Sequence, residues 1–219
     1  MLSATGLTWP VRAAMRLRGF GISDRPADFG YSLEEHADAV AAVLEAAGVN
    51  GAEVVGHSMG GAVAIVLAHR RPDLVARLVL AEANLDPNPP AGADSSRIAR
   101  YGEREFVEGG GFAAVLERVG PIWGATMRLA DPVALYRTAT RLARGTEPTM
   151  RTMLLAMDIP RIFLVGELSP DVDGRTELVA AGVDVETVPD AGHNMMFDNP
   201  GAFAAVIAGA GSAAVSSAA

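Results

Sequence analysis

The stretch from Glu53 through Gly60, Glu-Val-Val-Gly-His-Ser-Met-Gly, followed by the apolar run Ala62 to Leu67, constrains this chain more than any other part of it. A short β-branched run, a Ser between two glycines and then a series of uncharged helix formers describe a strand that turns sharply into a helix. A Ser at such a bend takes a strained backbone conformation and tolerates only very small neighbours two residues away, hence Gly56 and Gly60. Its hydroxyl then stands clear at the carboxyl edge of a sheet. The next amide, that of Met59, lies at a helix N-terminus and can donate to a developing anion. The competing reading of Ser58 is a helix N-cap after a glycine turn.

Strand and helix alternate on both sides of this bend. Val11 to Met15 is a short apolar run before the turn-rich RGFGISDRPADFG and reads as a first strand. Ser32 opens SLEE, a capping box with Glu35 at the third helical position. The helix that follows carries Leu33, Ala37, Val40, Val43, Leu44 and Ala47 on one face and stops at Gly48. Ala52 to Val55 then reads as strand, Met59 to Arg70 as helix and Leu78 to Ala81 as strand. After a break, the pattern resumes with Arg161 to Val165 (strand), Thr176 to Ala181 (helix), Val183 to Val188 (strand) and Pro200 to Ala208 (helix). This predicts an α/β fold, a mostly parallel sheet flanked by helices. The break has helical spacing and no strand pattern, and it is too long for a structureless loop. The expected organisation is therefore an α/β core over 1–85, a helical cap insertion over 86–158, the second part of the core over 159–209 and a flexible tail over 210–219.

Composition removes several classes of chemistry. The 219 residues include no Cys, which excludes thiol nucleophiles, disulfides and cysteine-ligated metals. All 18 basic residues are Arg, so neither a P-loop nor Schiff-base chemistry through a Lys is available. A net charge of -8 offers no overall positive field to nucleic acid or an anionic membrane, and a small-molecule partner is expected instead. The four His show no paired-ligand spacing, so no metal and no cofactor are called for. With no leader pattern and no membrane-length apolar run, the expected location is cytoplasmic.

A Ser nucleophile needs a base. His193 follows the last strand, in VPDAGHNMMFDNP, where a loop residue can reach back over the sheet edge. His36 and His69 fall on helices as surface or packing residues, and His57 fills a permissive position of the Gly-x-Ser-x-Gly motif.

GHSMGG, the upstream LRGFGISDRPADFGYSLEEHADAV and the late DAGHNMMFDNP resemble the α/β-hydrolase fold family, in the branch of small bacterial serine esterases and cofactor-free peroxidase-like enzymes. The resemblance runs from about Val11 to Ala208 apart from the insertion, which would be the family's cap. It implies Ser58 as nucleophile, His193 as general base and the Met59 N–H as an oxyanion donor.

The chain departs from the family pattern twice. The acid usually follows the penultimate strand in a pattern like G-x-x-D-P, and here that stretch is Gly166-Glu167-Leu168-Ser169-Pro170, with Ser169 where Asp would stand. Glu82, at the end of the strand before the insertion, is the favoured substitute because a strand end is a rigid platform. Asp171, two residues beyond the usual place, is the alternative. The resemblance also implies three strands before Val11 and an HG loop giving half of the oxyanion hole, whereas ten residues precede Val11 and none spells HG. A lost oxyanion donor costs about 100- to 1000-fold in rate, so weak activity is expected.

The expected function is a carboxylic ester hydrolase acting on a small, largely apolar ester or related acyl substrate through an acyl-enzyme. The alternative is a catalytically impaired hydrolase-like binding module. Met127, Met150, Met153, Met157, Trp123 and Phe112, with Met195 and Met196, read either as an apolar pocket lining or as core.

Overall fold

The computed structural model describes residues 13–87 and 97–215. Four parallel strands, β1 (Ala52–His57), β2 (Val75–Ala81), β3 (Arg161–Gly166) and β4 (Val183–Val188), form one sheet in the order β1-β2-β3-β4. Parallel neighbours need crossover connections. These run through α2 (Met59–Arg70) between β1 and β2, and through α8 (Arg175–Ala180) between β3 and β4. The register aligns His57 with Ala81, Ala81 with Leu164 and Gly166 with Val188, so all four carboxyl ends meet along one edge.

The predicted strands and helices of the core are present, with one exception. Ala13 to Met15 form no strand, and Val11 and Arg12 lie outside the described residues. A strand is held by its neighbours' hydrogen bonds. Met15 is 41% exposed in coil, so the apolar run that suggested a strand has no sheet to enter here.

Why the rest folds as it does follows from the residues. Ser32 caps α1 (Leu33–Ala46) by accepting from the Glu35 amide, while the Glu35 carboxylate accepts from the Ser32 amide. These reciprocal bonds satisfy two of the donors that a helix start leaves open. α2 has no charged residue before its last turn because Gly61 to Ala68 are all buried between the sheet and its neighbours. β3 is buried at every residue, as expected of an inner strand with both faces covered. One core cluster joins α1, α2 and one sheet face. On the other face Val79, Ala81, Ile162, Leu164 and Val188 pack under α10 (Pro200–Val215) through Phe203, Val206 and Ile207. α10 extends past Ala208 because an Ala/Gly run offers no periodic stripe by which to read its end. The expected tail is thus helical as far as Val215, and residues 216–219 lie outside the described residues.

The described residues between β2 and β3 are helical: a 3-10 turn (Ile98–Arg100), α3 (Glu103–Val107), α4 (Gly111–Arg118), α5 (Gly120–Met127), α6 (Pro132–Arg144) and α7 (Met150–Leu155). The first five share a small core of their own around Ile98, Phe106, Val115, Ala130 and Leu135. α7 instead sends Met150, Met153 and Leu154 into the main core. Among the described residues no helix is long and apolar enough to cross a membrane.

Candidate active site

The parallel sheet brings one chemically useful group to the end of each strand. Ser58 follows β1, Glu82 follows β2, Gly166 to Ser169 follow β3, and His193 lies on the loop after β4.

Ser58 has φ 51° and ψ -120°, a conformation that a residue with a side chain rarely adopts. The backbone is held there by bonds from the Ser58 amide to the Ala81 carbonyl (2.9 Å) and from the Gly61 amide to the Ser58 carbonyl (3.0 Å). Ser58 occupies the N-cap position of α2, yet its side chain makes no capping hydrogen bond. The hydroxyl is therefore not consumed by the helix. The tightness of the bend falls at Gly56 and Gly61 rather than at Gly56 and Gly60. A Cβ on Gly56 would lie 2.7 Å from the Gly60 carbonyl oxygen, and one on Gly61 would lie 2.5 Å from the Ala83 Cβ, whereas a Cβ on Gly60 would meet nothing within 4 Å.

His193 is met by Glu82 and not by Asp171. Its Nδ1 lies 2.6 Å from Glu82 Oε2, the length of a charge-assisted bond. Glu82 Oε1 accepts from the Gly166 amide at 2.9 Å. Burial alone would raise the Glu82 carboxyl, but hydrogen bonds from His193, the Ser169 hydroxyl and the Gly166 amide outweigh it and hold the group below its ordinary value. Ser169, which stands where the family pattern has Asp, thus serves Glu82 as a donor. Asp171 faces outward and pairs with Arg175, Oδ2 to Nε at 2.7 Å.

The loop bearing His193 is seated on the bend itself. His57 donates its Nε2–H to the His193 carbonyl at 2.7 Å, and the two rings lie 4.7 Å apart. Burial, reinforced by the neighbouring His193, pushes the His57 imidazole below its usual value, so it sits neutral. On its other side the loop is tied to β3, because the Leu168 amide donates to the Ala191 carbonyl at 2.9 Å. Trp123 of α5 brings its ring within 5.8 Å of the His193 ring and donates to Asn194 Oδ1 at 2.9 Å.

Of the apolar residues considered as a pocket lining, Met150, Met153 and Met195 are core, each at most 5% exposed. Met127 and Phe112 pack on the helical segment's own core. Trp123 does reach His193. Two partners went unread in the sequence: His57, whose motif position is permissive, and Asn194, which adjoins His193. A groove of about 790 Å³ between residues 15–24 and α1 is lined by none of Ser58, Glu82 or His193. Among the described residues no group of three His, Asp or Glu side chains could hold a metal ion.

Residues 14–106 match the family model described as alpha/beta hydrolase fold. Among solved structures, a bromoperoxidase from Bacillus anthracis superposes with a TM-score of 0.71 at 18% identity, over 88% of this chain and 78% of that one. An esterase from Thermogutta terrifontis superposes with a TM-score of 0.66 at 27% identity, over 87% of this chain and 75% of that one. The 2-hydroxymuconate semialdehyde hydrolase of Pseudomonas putida is 47% identical over 62 residues, 28% of this chain and 22% of the relative's length. That match therefore spans about a fifth of the curated relative. The chain has the α/β-hydrolase fold, and its residues 14–106 resemble that family in sequence.

Proposed function

We propose that this chain is a serine hydrolase that transfers the acyl group of a small, largely apolar ester to Ser58 and then to water. The observation that carries the reading is the free hydroxyl of Ser58, held at positive φ on the bend against which the Glu82-bound His193 loop is seated. The hydrolases and esterases among the similar proteins support it at the level of reaction class.

In this reading His193 takes the proton from Ser58 as the hydroxyl attacks the carbonyl, and returns it to the leaving alcohol. The Met59 amide, in the first turn of α2 where a helix offers unpaired N–H groups, donates to the tetrahedral oxyanion. Glu82 keeps the imidazole proton on Nδ1, so that Nε2 is the basic nitrogen, and stabilises the imidazolium. Water then repeats the sequence on the acyl-enzyme, with His193 again as base.

A fluorophosphonate probe tests this directly. Covalent labelling of the purified protein, abolished in Ser58→Ala and strongly slowed in His193→Ala, supports the hydrolase. Absence of labelling in a cooperatively folded protein refutes it and leaves a binding module on the same fold.

A further inference from the structure

His193 is held at three points. Glu82, at the end of β2, takes its Nδ1; His57, at the end of β1, takes its carbonyl; and Trp123 lies beside its ring and takes the side chain of the following residue. The first two contacts come from the sheet, and the third comes from α5, in the helical segment between β2 and β3. Asn194 shows that this contact replaces an ordinary local one. It occupies the N-cap position of α9 (Met195–Asp198), and Asn ranks among the best N-caps. Yet its side chain makes no cap bond. Its Oδ1 instead accepts the indole N–H of a residue 71 positions away in the chain. The indole is then tilted 40° to the imidazole at a centroid separation of 5.8 Å, inside the range over which an aromatic face attracts a cation.

We infer that Trp123 is a positioning residue for His193: through Asn194 and its own ring, the seat of α5 sets the orientation of the imidazole. The role rests on the hydrolase reading only for its consequence in turnover, since the contact itself can be read without any substrate. No other described element is needed to carry it, and among the described residues the charged or titratable groups facing the imidazole are Glu82 and His57.

The chain has two Trp, at 9 and 123, so Trp9→Phe leaves Trp123 as the sole indole reporter. A protonated imidazole quenches an adjoining indole. In Trp9→Phe the emission should rise through a single step as pH increases across the histidine range. The step should vanish in His193→Gln and survive in His57→Gln. Emission that does not respond to pH, or a step that survives in His193→Gln, overturns the inference.

With p-nitrophenyl acetate as substrate, Trp123→Leu should lower kcat about tenfold with KM within about twofold. Trp123→Phe and Asn194→Ala should each cost about fivefold, the loss of one hydrogen bond. Their combination should cost no more than either alone, because both remove the same bond. A KM that rises with kcat unchanged would make Trp123 a wall of the substrate pocket and overturn the positioning role. A fluorescence step in a protein that neither hydrolyses the ester nor takes the fluorophosphonate would overturn the hydrolase reading and leave the Trp123–His193 contact standing.

Discussion

Replacing Glu82 by Gln should damage turnover more than deleting its side chain altogether, and the reason lies in how its two oxygens are divided. Oε1 accepts the amide of Gly166, a buried residue, at 2.9 Å, and Oε2 faces His193 Nδ1 at 2.6 Å. A Gln has one acceptor oxygen to offer. Turning its NH2 toward Gly166 would set two donors against each other and leave a buried amide unpaired, at a cost of about 1–3 kcal/mol. The amide oxygen therefore stays on Gly166, and the NH2 points at His193 Nδ1. The imidazole must then accept at Nδ1 and carry its proton on Nε2, the nitrogen required to be basic. An inverted tautomer costs about 10⁴-fold in kcat, or about 5 kcal/mol of transition-state stabilisation. Glu82→Ala loses one charge-assisted bond, about 1.5–3 kcal/mol or about 10- to 100-fold, and leaves the imidazole free to find the productive tautomer. The measurement is kcat for p-nitrophenyl acetate in both variants, with thermal melts to show that each is folded. A Gln variant as active as the Ala variant would refute the argument, and so would an Ala variant indistinguishable from wild type. Because the Ser169 hydroxyl already bonds to Glu82, Ser169→Asp in the Glu82→Ala background should restore part of the lost rate.

Gly56→Ala should destabilise by about 1–3 kcal/mol, since its Cβ would meet backbone atoms at 2.7 Å. Gly60→Ala, with open space around the new Cβ, should be neutral or up to about 1 kcal/mol stabilising; urea denaturation measures both. His36 is fully buried among Phe20, Phe29 and Tyr31, with Nε2 3.2 Å from Thr138 Oγ1, and burial lowers its imidazole to about 4. The unfolded chain, near 6.5, binds the proton first, so stability falls as pH drops from about 6.5 toward 4 and is unaffected by this group at higher pH. The loss should reach about 2 kcal/mol at pH 5 and be absent in His36→Gln; equal pH slopes in denaturant unfolding of the two proteins would rule it out. Phe106→Ala should cost about 3–5 kcal/mol, because Phe106 is the largest fully buried side chain of the helical segment, and a lowered unfolding midpoint would show it.

What could be read from the sequence was local. The capping box from Ser32 to Glu35 spans four residues, and both of its bonds form. The bend at Ser58 was legible because strand, glycine and helix signals adjoin there, and the place of Glu82 at a strand end because it closes an apolar run. What could not be read depends on chain segments far apart. Nothing near Gly61 in the sequence announces that Ala83 lies against it. His57 and His193 are separated by 136 positions, and His36 and Thr138 by 102. The methionines illustrate the same limit. Helical spacing puts Met150 and Met153 on one face of α7 but does not say whether that face meets a pocket or the main core, and it meets the core. Over Ala13 to Met15 the expected strand is absent for a related reason: an apolar run describes a strand's composition, while pairing depends on a partner elsewhere.

The position of the acid changes the task of β3. Where β3 would otherwise end in a carboxylate, it supplies two donors, the Gly166 amide and the Ser169 hydroxyl, to a carboxylate delivered by β2. Three hydrogen bonds then converge on Glu82 and outweigh the burial that opposes its charge. Glu82 is thereby held as a carboxylate. Ser169→Ala removes one of those donors without touching the imidazole. If β3 acts in this way, that variant should keep the tautomer and most of the rate at neutral pH and, as pH falls, lose activity before wild type does, because a less stabilised carboxylate takes up protons sooner. An unchanged profile would mean that the Gly166 amide and His193 suffice to hold the charge.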